Sequence, residues 1–341
     1  MIHVLNFSKR SKRSKLSWKR SIAGLLTGRR IAIMRSEALA PMTERPMQSE
    51  PSDVTVVIPA YGQSPHLRSV LEALRRQTCT PDLIVVSHSA DADPTPWIES
   101  EFPEVVILHS PTRLYAGAAR NRGVAMAMTE FVAFCDCDVL PADNWLKNLR
   151  MAICEGENRF VVGAVGIAET GGYWGTTNWH CEFSEQAPWR PAGEQNGGAS
   201  CNMMVRRSDF EKVGGFDGSQ RIGEDTLLLR NLRNLGLKQY LNPDAVVGHY
   251  NLTGIRLFSQ HQYNHGLYFS NVRKKVEMPG SALVRHPPLA ALLFAPKAAV
   301  VLRRMAQDRG GRVARILRYG PGVLLGSLIF AAGALRGSIG K

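Results

Sequence analysis

The sequence predicts an α/β fold, with a doubly wound, mainly parallel sheet and helices on its two faces. Short apolar runs rich in β-branched residues, typical of buried parallel strands, lie at residues 54–59, 83–86, 105–108 and 131–135. Strands that alternate with helices at this pace are joined by right-handed crossovers in one sheet. Two acids, Asp136 and Asp138, follow the fourth run at the sheet edge where open α/β folds bind ligands.

The segments between and after these runs predict the other elements. Helices are predicted over residues 65–77, 116–128, 143–154, 223–235 and 257–272. Further strands are predicted over residues 161–165 and 245–248. The Gly-, Trp- and polar-rich segment 171–198 predicts a long irregular insertion, either a binding loop for an acceptor or a packed cover over the sheet.

Asp136 and Asp138 are candidate metal ligands. Residues two apart in an extended chain point to the same side, so the two carboxylates can converge on one hard cation. A divalent ion held by one or two carboxylates, with positions left for phosphate oxygens, is the usual arrangement of Mg²⁺ or Mn²⁺ at a nucleotide site. An acidic turn that caps the next helix is the alternative.

The net charge of +13 is concentrated at the two ends of the chain. Residues 1–36 contain ten Lys or Arg and no acid, residues 303–341 contain eight against one acid, and the segment between them has a net charge of −4. This distribution argues against nucleic-acid binding by the core and favours attraction of the ends to an anionic membrane surface. We therefore expect localisation at the cytoplasmic face of the cell membrane.

Composition divides the chain into three parts. Residues 1–50 are a basic tail and linker, with Met34 as an alternative start, residues 51–255 are the α/β domain, and residues 256–341 are a helical, membrane-associated region. Uncharged residues 319–335 fall at the short end of the ~17–25 residues that a crossing helix needs. Their glycines and proline argue against a tight soluble core. We therefore expect re-entrant or interfacial helices rather than true spans or a soluble bundle. Six cysteines without paired CxxC spacing predict free thiols rather than disulfides or a structural zinc.

Four motifs in order resemble glycosyltransferase family 2, the inverting enzymes of GT-A fold. The motifs are Val57-Ile58-Pro59-Ala60-Tyr61, Gly117 to Gly123, Phe131 to Asp138, and Gly223-Glu224-Asp225. The resemblance covers roughly residues 53–250 and is more specific than any one motif. It implies a GT-A-type sheet, a UDP- or GDP-sugar donor, a glycan or lipid-linked acceptor, and Mn²⁺ or Mg²⁺ as cofactor.

The resemblance also implies donor-binding positions. Pro59 and Tyr61 match the loop that frames the nucleotide base, and Arg120 and Asn121 match the helix beside the nucleotide. An ordinary surface charge is the alternative for Arg120. Many relatives have adjacent acids at the end of the second strand, and here Asp91, a little later, is the expected substitute.

The resemblance also implies which residues bind the metal and which take part in catalysis. Asp138 resembles the direct metal ligand, Asp136 the acid that faces the ribose and the metal shell, and His249 a further metal contact, with a packed histidine as its alternative. Asp225 resembles the catalytic base and Glu224 a residue that orients the acceptor. Two acids that merely complement the positive end of a helix are the alternative for this pair.

Three residues are expected to contact the acceptor: Trp179, His180 and Asn202. The first two lie in the aromatic-rich segment, and Asn202 lies in a stretch that resembles the family strand under the acceptor.

The leading hypothesis is a metal-dependent inverting glycosyltransferase of polysaccharide biosynthesis. Two alternatives stay open. A nucleotidyltransferase shares this sheet and its acidic metal chemistry, but its basic, Gly-rich phosphate loop has no counterpart at Pro59 to Gly62. A non-catalytic membrane-associated binding protein would use only the basic ends.

Overall fold

The computed structural model describes residues 52–308 and 310–340, so the predicted basic tail and linker and the alternative start lie outside the described residues. Nine strands of the described part form one sheet: β1 Val54–Tyr61, β2 Leu83–Ser89, β3 Val105–Ser110, β4 Phe131–Cys135, β5 Val139–Pro141, β6 Arg159–Glu169, β7 Gly193–Glu194, β8 Asn202–Arg206 and β9 Lys238–Tyr250.

The helices of the described residues lie between and after these strands. They are α1 Leu67–Arg75, α2 Thr95–Glu101, α3 Ala116–Val124, α4 Trp145–Cys154, α5 Gly172–Phe183, α6 Arg207–Lys212, α7 Glu224–Asn234, α8 Gly254–Lys275, α9 Ser281–Arg285, α10 Pro287–Ala290, α11 Phe294–Ala306 and α12 Arg312–Ile339.

The strand order is β3-β2-β1-β4-β8-β6-β9-β5, with β7 paired to β9. Strands β1 to β4 pair in parallel, as do β6 and β9. β8 lies antiparallel between β4 and β6, and β5 is antiparallel to β9. The predicted α/β fold with a mainly parallel sheet is confirmed, and β8 brings an antiparallel strand into its centre.

Side chains of β4 alternate between the two faces of the sheet, as the pleat requires. Phe131, Ala133 and Cys135 pack into one core cluster with α1 and α4. Val132 and Phe134 pack into the other, with α7. Because both faces of β4 are covered, its sequence is an unbroken apolar run that ends at Asp136.

Residues 171–198 are more ordered than the sequence suggests. The prediction of a long irregular insertion is wrong, because residues 172–183 form α5, followed by a 3₁₀ turn and the short strand β7. Gly171 and Gly172, both at positive φ, start the helix. Gly171 also lies against the backbone oxygen of Leu252, which leaves no room for a side chain.

The C-terminal helices pack on α5 and belong to the same compact unit as the sheet. α8 and α12 approach closely through glycines. A Cβ on Gly266 would collide with the backbone of Phe330, and one on Gly333 would collide with the backbone of Tyr263. Among the described helices, α12 alone has the length and apolar composition of a membrane-crossing helix, and half of its apolar window is buried against the rest of the protein.

Candidate active site

A cavity of about 500 Å³ opens where β4 ends and α7 begins. Its wall contains the following residues selected from the sequence: Arg120, Asp136, Asp138, Glu224, Asp225 and His249. The structure thus brings the two predicted acid pairs together, although one pair follows a strand and the other opens a helix. Gly198 to Cys201, just before β8, line the same cavity. The individual roles of these residues remain predictions.

The Arg120 guanidinium joins the two acid pairs. Its side chain is 3% exposed, Nη2 donates to Asp136 Oδ1 at 2.6 Å, and Nη1 donates to Glu224 Oε1 at 3.1 Å. Burial acts to lower the pKa of Arg120, but the charges of the two carboxylates outweigh burial, so the pKa is raised overall. The alternative of an ordinary surface charge is wrong, because this cation is buried between two anions.

Glu224 and Asp225, the first residues of α7, are held differently. Burial and the charge of Asp225 raise the pKa of Glu224 to about 7, against the opposing effect of Arg120. Burial also raises the pKa of Asp225, whose Oδ1 accepts the backbone N–H of Thr226 at 2.6 Å. Among the described residues, Oδ2 of Asp225 has no hydrogen-bond partner, so this oxygen is free to meet a ligand in the cavity.

Asp138 and His249 face each other across the ends of β4 and β9. His249 Nε2 lies 3.8 Å from Asp138 Oδ2, which is too far for a hydrogen bond. Nδ1 of His249 pairs with Asn251 Oδ1 at 3.0 Å. Because that carbonyl oxygen only accepts, Nδ1 carries the proton and the lone pair of Nε2 points towards the carboxylate. A carboxylate and an imidazole lone pair turned towards each other fit a divalent cation such as Mn²⁺ or Mg²⁺.

The charge of Asp138 depends on what the cavity contains. Burial raises the pKa of this carboxyl, His249 opposes the rise, and Asp136 adds to it. Even so, 48% of the side chain remains open to the cavity. A cation beside it favours the ionised form, which is the form that binds metal.

The other predicted donor residues lie outside this wall. Tyr61 is 53% exposed at the end of β1, with the Arg113 guanidinium 4.4 Å from its ring centre. Asp91 is exposed in the loop after β2. Pro59 is buried within β1, so it shapes the strand end and offers little surface to a ligand. Donor binding by Tyr61 and Asp91 stays a prediction.

Two residues that were predicted to contact ligands, Asn121 and Asn202, make hydrogen bonds that stabilise the fold. Asn121 Nδ2 donates to the Phe216 carbonyl at 2.8 Å, and its Oδ1 accepts the Phe216 N–H at 2.9 Å, so the side chain fixes the turn before α7. Asn202 is fully buried and donates to the carbonyls of Ala164 and Ala245. Its Oδ1 also accepts the Trp145 indole N–H. Neither side chain lines the first cavity, and ligand contact by either amide stays a prediction.

Trp179 and His180 line a second cavity, of about 320 Å³, between α5 and α12. Trp189, Arg315 and Tyr319 form another part of its wall. Burial lowers the pKa of His180 to about 4, so its imidazole is neutral at pH 7. These two residues line a different cavity from Asp225, and acceptor contact by them stays a prediction.

The sequence analysis predicted no metal site on the far wall of the first cavity. This wall comes from α5, α8 and α11 and includes Glu182, His261, His265, Arg273 and Lys297. The spacing of the two histidines was visible as a pair one helical turn apart. Their carboxylate partner is remote in sequence, so only the packing of α5 on α8 brings it to them.

Comparisons with known proteins agree with the geometry. Residues 55–214 match the family model described as Glycosyl transferase family 2. A pre-mycofactocin glycosyltransferase of Mycobacterium tuberculosis is 30% identical over 254 residues, covering 71% of this chain and 50% of the relative. The chain therefore spans half the length of that relative.

Two further relatives are similar over more of their own length. The amylovoran biosynthesis glycosyltransferase AmsB of Erwinia amylovora is 26% identical, covering 61% of this chain and 72% of the relative. The O-antigen chain rhamnosyltransferase RfbN of Salmonella typhimurium is 24% identical, covering 58% and 66%. A crystal structure of GalNAc-T7 with UDP, GalNAc and Mn²⁺ superposes with a TM-score of 0.47 at 18% identity, over 58% of this chain and 44% of that one.

Proposed function

Residues 55–214 are a glycosyl transferase family 2 domain, and on this premise we propose that the protein is a metal-dependent inverting glycosyltransferase. It moves a sugar from a UDP- or GDP-sugar to a glycan or lipid-linked acceptor in polysaccharide biosynthesis. One observation carries the proposal: Asp138 and Asp225 line the same cavity. The group that binds the diphosphate of the donor and the group that deprotonates the hydroxyl of the acceptor have to lie in one cavity, because the two substrates react with each other there.

In this proposal Asp225 is the catalytic base. Its free Oδ2 removes the proton of the acceptor hydroxyl while that oxygen attacks the anomeric carbon and the nucleoside diphosphate leaves from the opposite face. A single displacement of this kind inverts the anomeric configuration. Glu224 is less suited to the task because Arg120 already binds its carboxylate. Glu224 instead holds the guanidinium that orients Asp136.

Asp138 and His249 would hold the cation at the donor end, with Asp136 beside them. A divalent ion bound there neutralises the diphosphate and stabilises it as a leaving group. Asn251 supports this assignment because it fixes the histidine tautomer that leaves Nε2 free.

The two alternatives are weaker. The family match favours sugar transfer over nucleotidyl transfer. A binding protein has no need for an arginine buried between two carboxylates beside a free carboxylate oxygen, an arrangement that costs desolvation energy.

The test is donor hydrolysis. We expect the full chain, incubated with Mn²⁺ or Mg²⁺ and single nucleotide sugars, to release one nucleoside diphosphate slowly with water as acceptor, and to stop when the metal is chelated. Release of pyrophosphate from a nucleoside triphosphate would indicate the nucleotidyltransferase instead. No turnover of any nucleotide sugar, with or without metal, would favour the binding protein.

We also propose that α12 lies on an anionic membrane surface at the cytoplasmic face. Leu317, Leu324 and Leu328 recur on one side of the helix and are all exposed, with Leu317 at 73%. Arg312 and Arg318 flank the start of this stripe. An exposed apolar stripe with arginines beside it suits an interfacial helix, in which leucines enter the lipid and arginines contact phosphates.

Vesicle flotation tests this surface. We expect the full chain to float with vesicles that contain phosphatidylglycerol, and the triple variant Leu317→Gln, Leu324→Gln, Leu328→Gln to float much less. Met128→Gln is the matched control, because Met128 is 88% exposed but lies in the turn after α3. Equal flotation of the triple variant and the control would contradict the proposal.

A further inference from the structure

Three potential metal ligands meet on the far wall of the active-site cavity. His261 and His265 lie one turn apart on α8, and Glu182 reaches them from α5. One ligand atom from each residue lies within 4.8 Å of the other two. An i, i+4 pair of histidines shares one helix face, so both imidazoles can bind the same ion.

The cluster is held in place by its neighbours. His265 Nδ1 lies 3.0 Å from Glu182 Oε2, and Gln262 Nε2 donates to Glu182 Oε1 at 2.8 Å. The same Gln262 amide also donates to Asn178 Oδ1 at 2.9 Å, which ties the amide to α5. Outer groups that orient a ligating carboxylate in this way are typical of metal sites in proteins.

The cluster is open to the cavity. The side chains of Glu182 and His265 are 12% and 27% exposed, and all three residues line the cavity wall. Burial acts to raise the pKa of Glu182, but His265 and Lys297 outweigh burial and lower it to about 2. Burial lowers the pKa of His265 to about 4 and also lowers that of His261. Neutral imidazoles and an ionised carboxylate are the forms that bind metals.

Lys297 is the feature that opposes a cation here. Its ammonium donates to the Cys181 carbonyl at 3.2 Å and lies 4.9 Å from the ring centre of Phe330. Its charge also acts on Glu182 and on both histidines. A cation bound by the cluster is therefore repelled by this charge, which weakens binding without occupying a ligand position.

We propose that Glu182, His261 and His265 form a second divalent-cation site, separate from Asp138 and His249 and suited to Zn²⁺. Two imidazoles and one carboxylate are a common zinc ligand set that leaves a position open, and here the open side is the cavity. The carboxylates of the first site suit the harder Mg²⁺ and Mn²⁺. Zn²⁺ bound here would take one ring nitrogen from each of His261 and His265 and a carboxylate oxygen from Glu182.

A cation in this position would link α5 to α8 in the wall of the cavity that Asp225 also lines. Its open position would accept an oxygen atom of a molecule in the cavity. The proposal does not depend on sugar transfer, because it concerns metal binding alone.

Zn²⁺ titration by calorimetry tests the site in the full chain. We expect one Zn²⁺ to bind in the variant Asp138→Asn, His249→Ala, where the first site is removed. When His261→Ala and His265→Ala are added to that variant, we expect this binding to weaken by at least about a hundredfold. His265→Gln keeps a donor for Glu182 but loses a ligand, so it separates loss of metal from loss of folding. His286→Ala, at an exposed histidine, is the matched control.

Co²⁺ spectra and Lys297 supply the decisive controls. Co²⁺ bound by nitrogen and oxygen lacks the strong near-ultraviolet absorption of a thiolate complex, which would mark binding at cysteines. Lys297→Met should tighten Zn²⁺ binding by roughly three- to tenfold, because a repelling charge is removed. Zn²⁺ binding that is unchanged in His265→Gln and in the double-histidine variant would overturn the proposal, as would absence of binding in the wild type.

Discussion

Asp225→Asn is expected to lower nucleoside diphosphate release by roughly 10²- to 10⁴-fold, the range that a general base contributes. Asparagine cannot accept a proton from the attacking hydroxyl or water. It keeps the oxygen that accepts the Thr226 N–H at 2.6 Å, so the start of α7 and the fold should be unchanged. The measurement is the initial rate with the donor identified by hydrolysis, at saturating metal, together with a thermal melt.

Glu224→Gln is the matched control, since it is the adjacent acid on the same helix turn. Glutamine still accepts the Arg120 N–H at the position now occupied by Glu224 Oε1, so we expect a smaller loss of rate than for Asp225→Asn. In the wild type the rate should fall as the pH drops through the raised pKa of Asp225, because the protonated acid cannot serve as a base. The reverse ranking of the two variants would assign the base to Glu224.

The sequence predicted those residues of the site that lie at the end of a strand or at the start of a helix. β4 is apolar throughout because both its faces are covered, so its end, and therefore the place of Asp136, could be read from hydrophobicity alone. The helix after Gly223 was predicted from its leucines in the same way. Each acid pair lies at the boundary of its own strand or helix, so its position could be predicted together with that boundary.

What the sequence did not predict has a common physical cause, which is that side-chain direction depends on tertiary packing. Asn202 matches a family position, but its amide points into the sheet, where unpaired backbone carbonyls need a donor. Trp179 sits in a segment whose glycines, threonines and tryptophans have modest helix propensity, yet burial of one face against α8 and α12 stabilises α5. Likewise, Glu182 could not be linked to His265 until these helices were placed together.

Arg120→Met is expected to destabilise the fold by about 3–5 kcal/mol, the usual cost of removing one partner from a buried ion pair. The Arg120 side chain is 3% exposed, and those of Glu224 and Asp136 are 11% and 27% exposed, so little water would replace the lost cation. The melting temperature should fall by about 10 °C, and donor hydrolysis should be lost because Asp136 is no longer oriented. The measurement is a denaturant titration with matched thermal melts.

The pH dependence of stability and a double variant distinguish loss of the Arg120 charge from simple loss of its packing. Without Arg120 the folded-state pKa of Glu224 rises above its present value of about 7, while its ordinary value is 4.5. The stability linked to the protonated carboxyl is present below that ordinary value and is lost as the pH rises through the folded-state pKa. The free energy of unfolding of Arg120→Met should therefore differ less from that of the wild type at about pH 5 than at about pH 8. Adding Glu224→Gln should recover part of the stability at pH 8, since a neutral amide needs no counter-ion. A deficit that is constant across this range, with no recovery in the double variant, would mean that the arginine acts through its packing on Phe216 rather than through its charge.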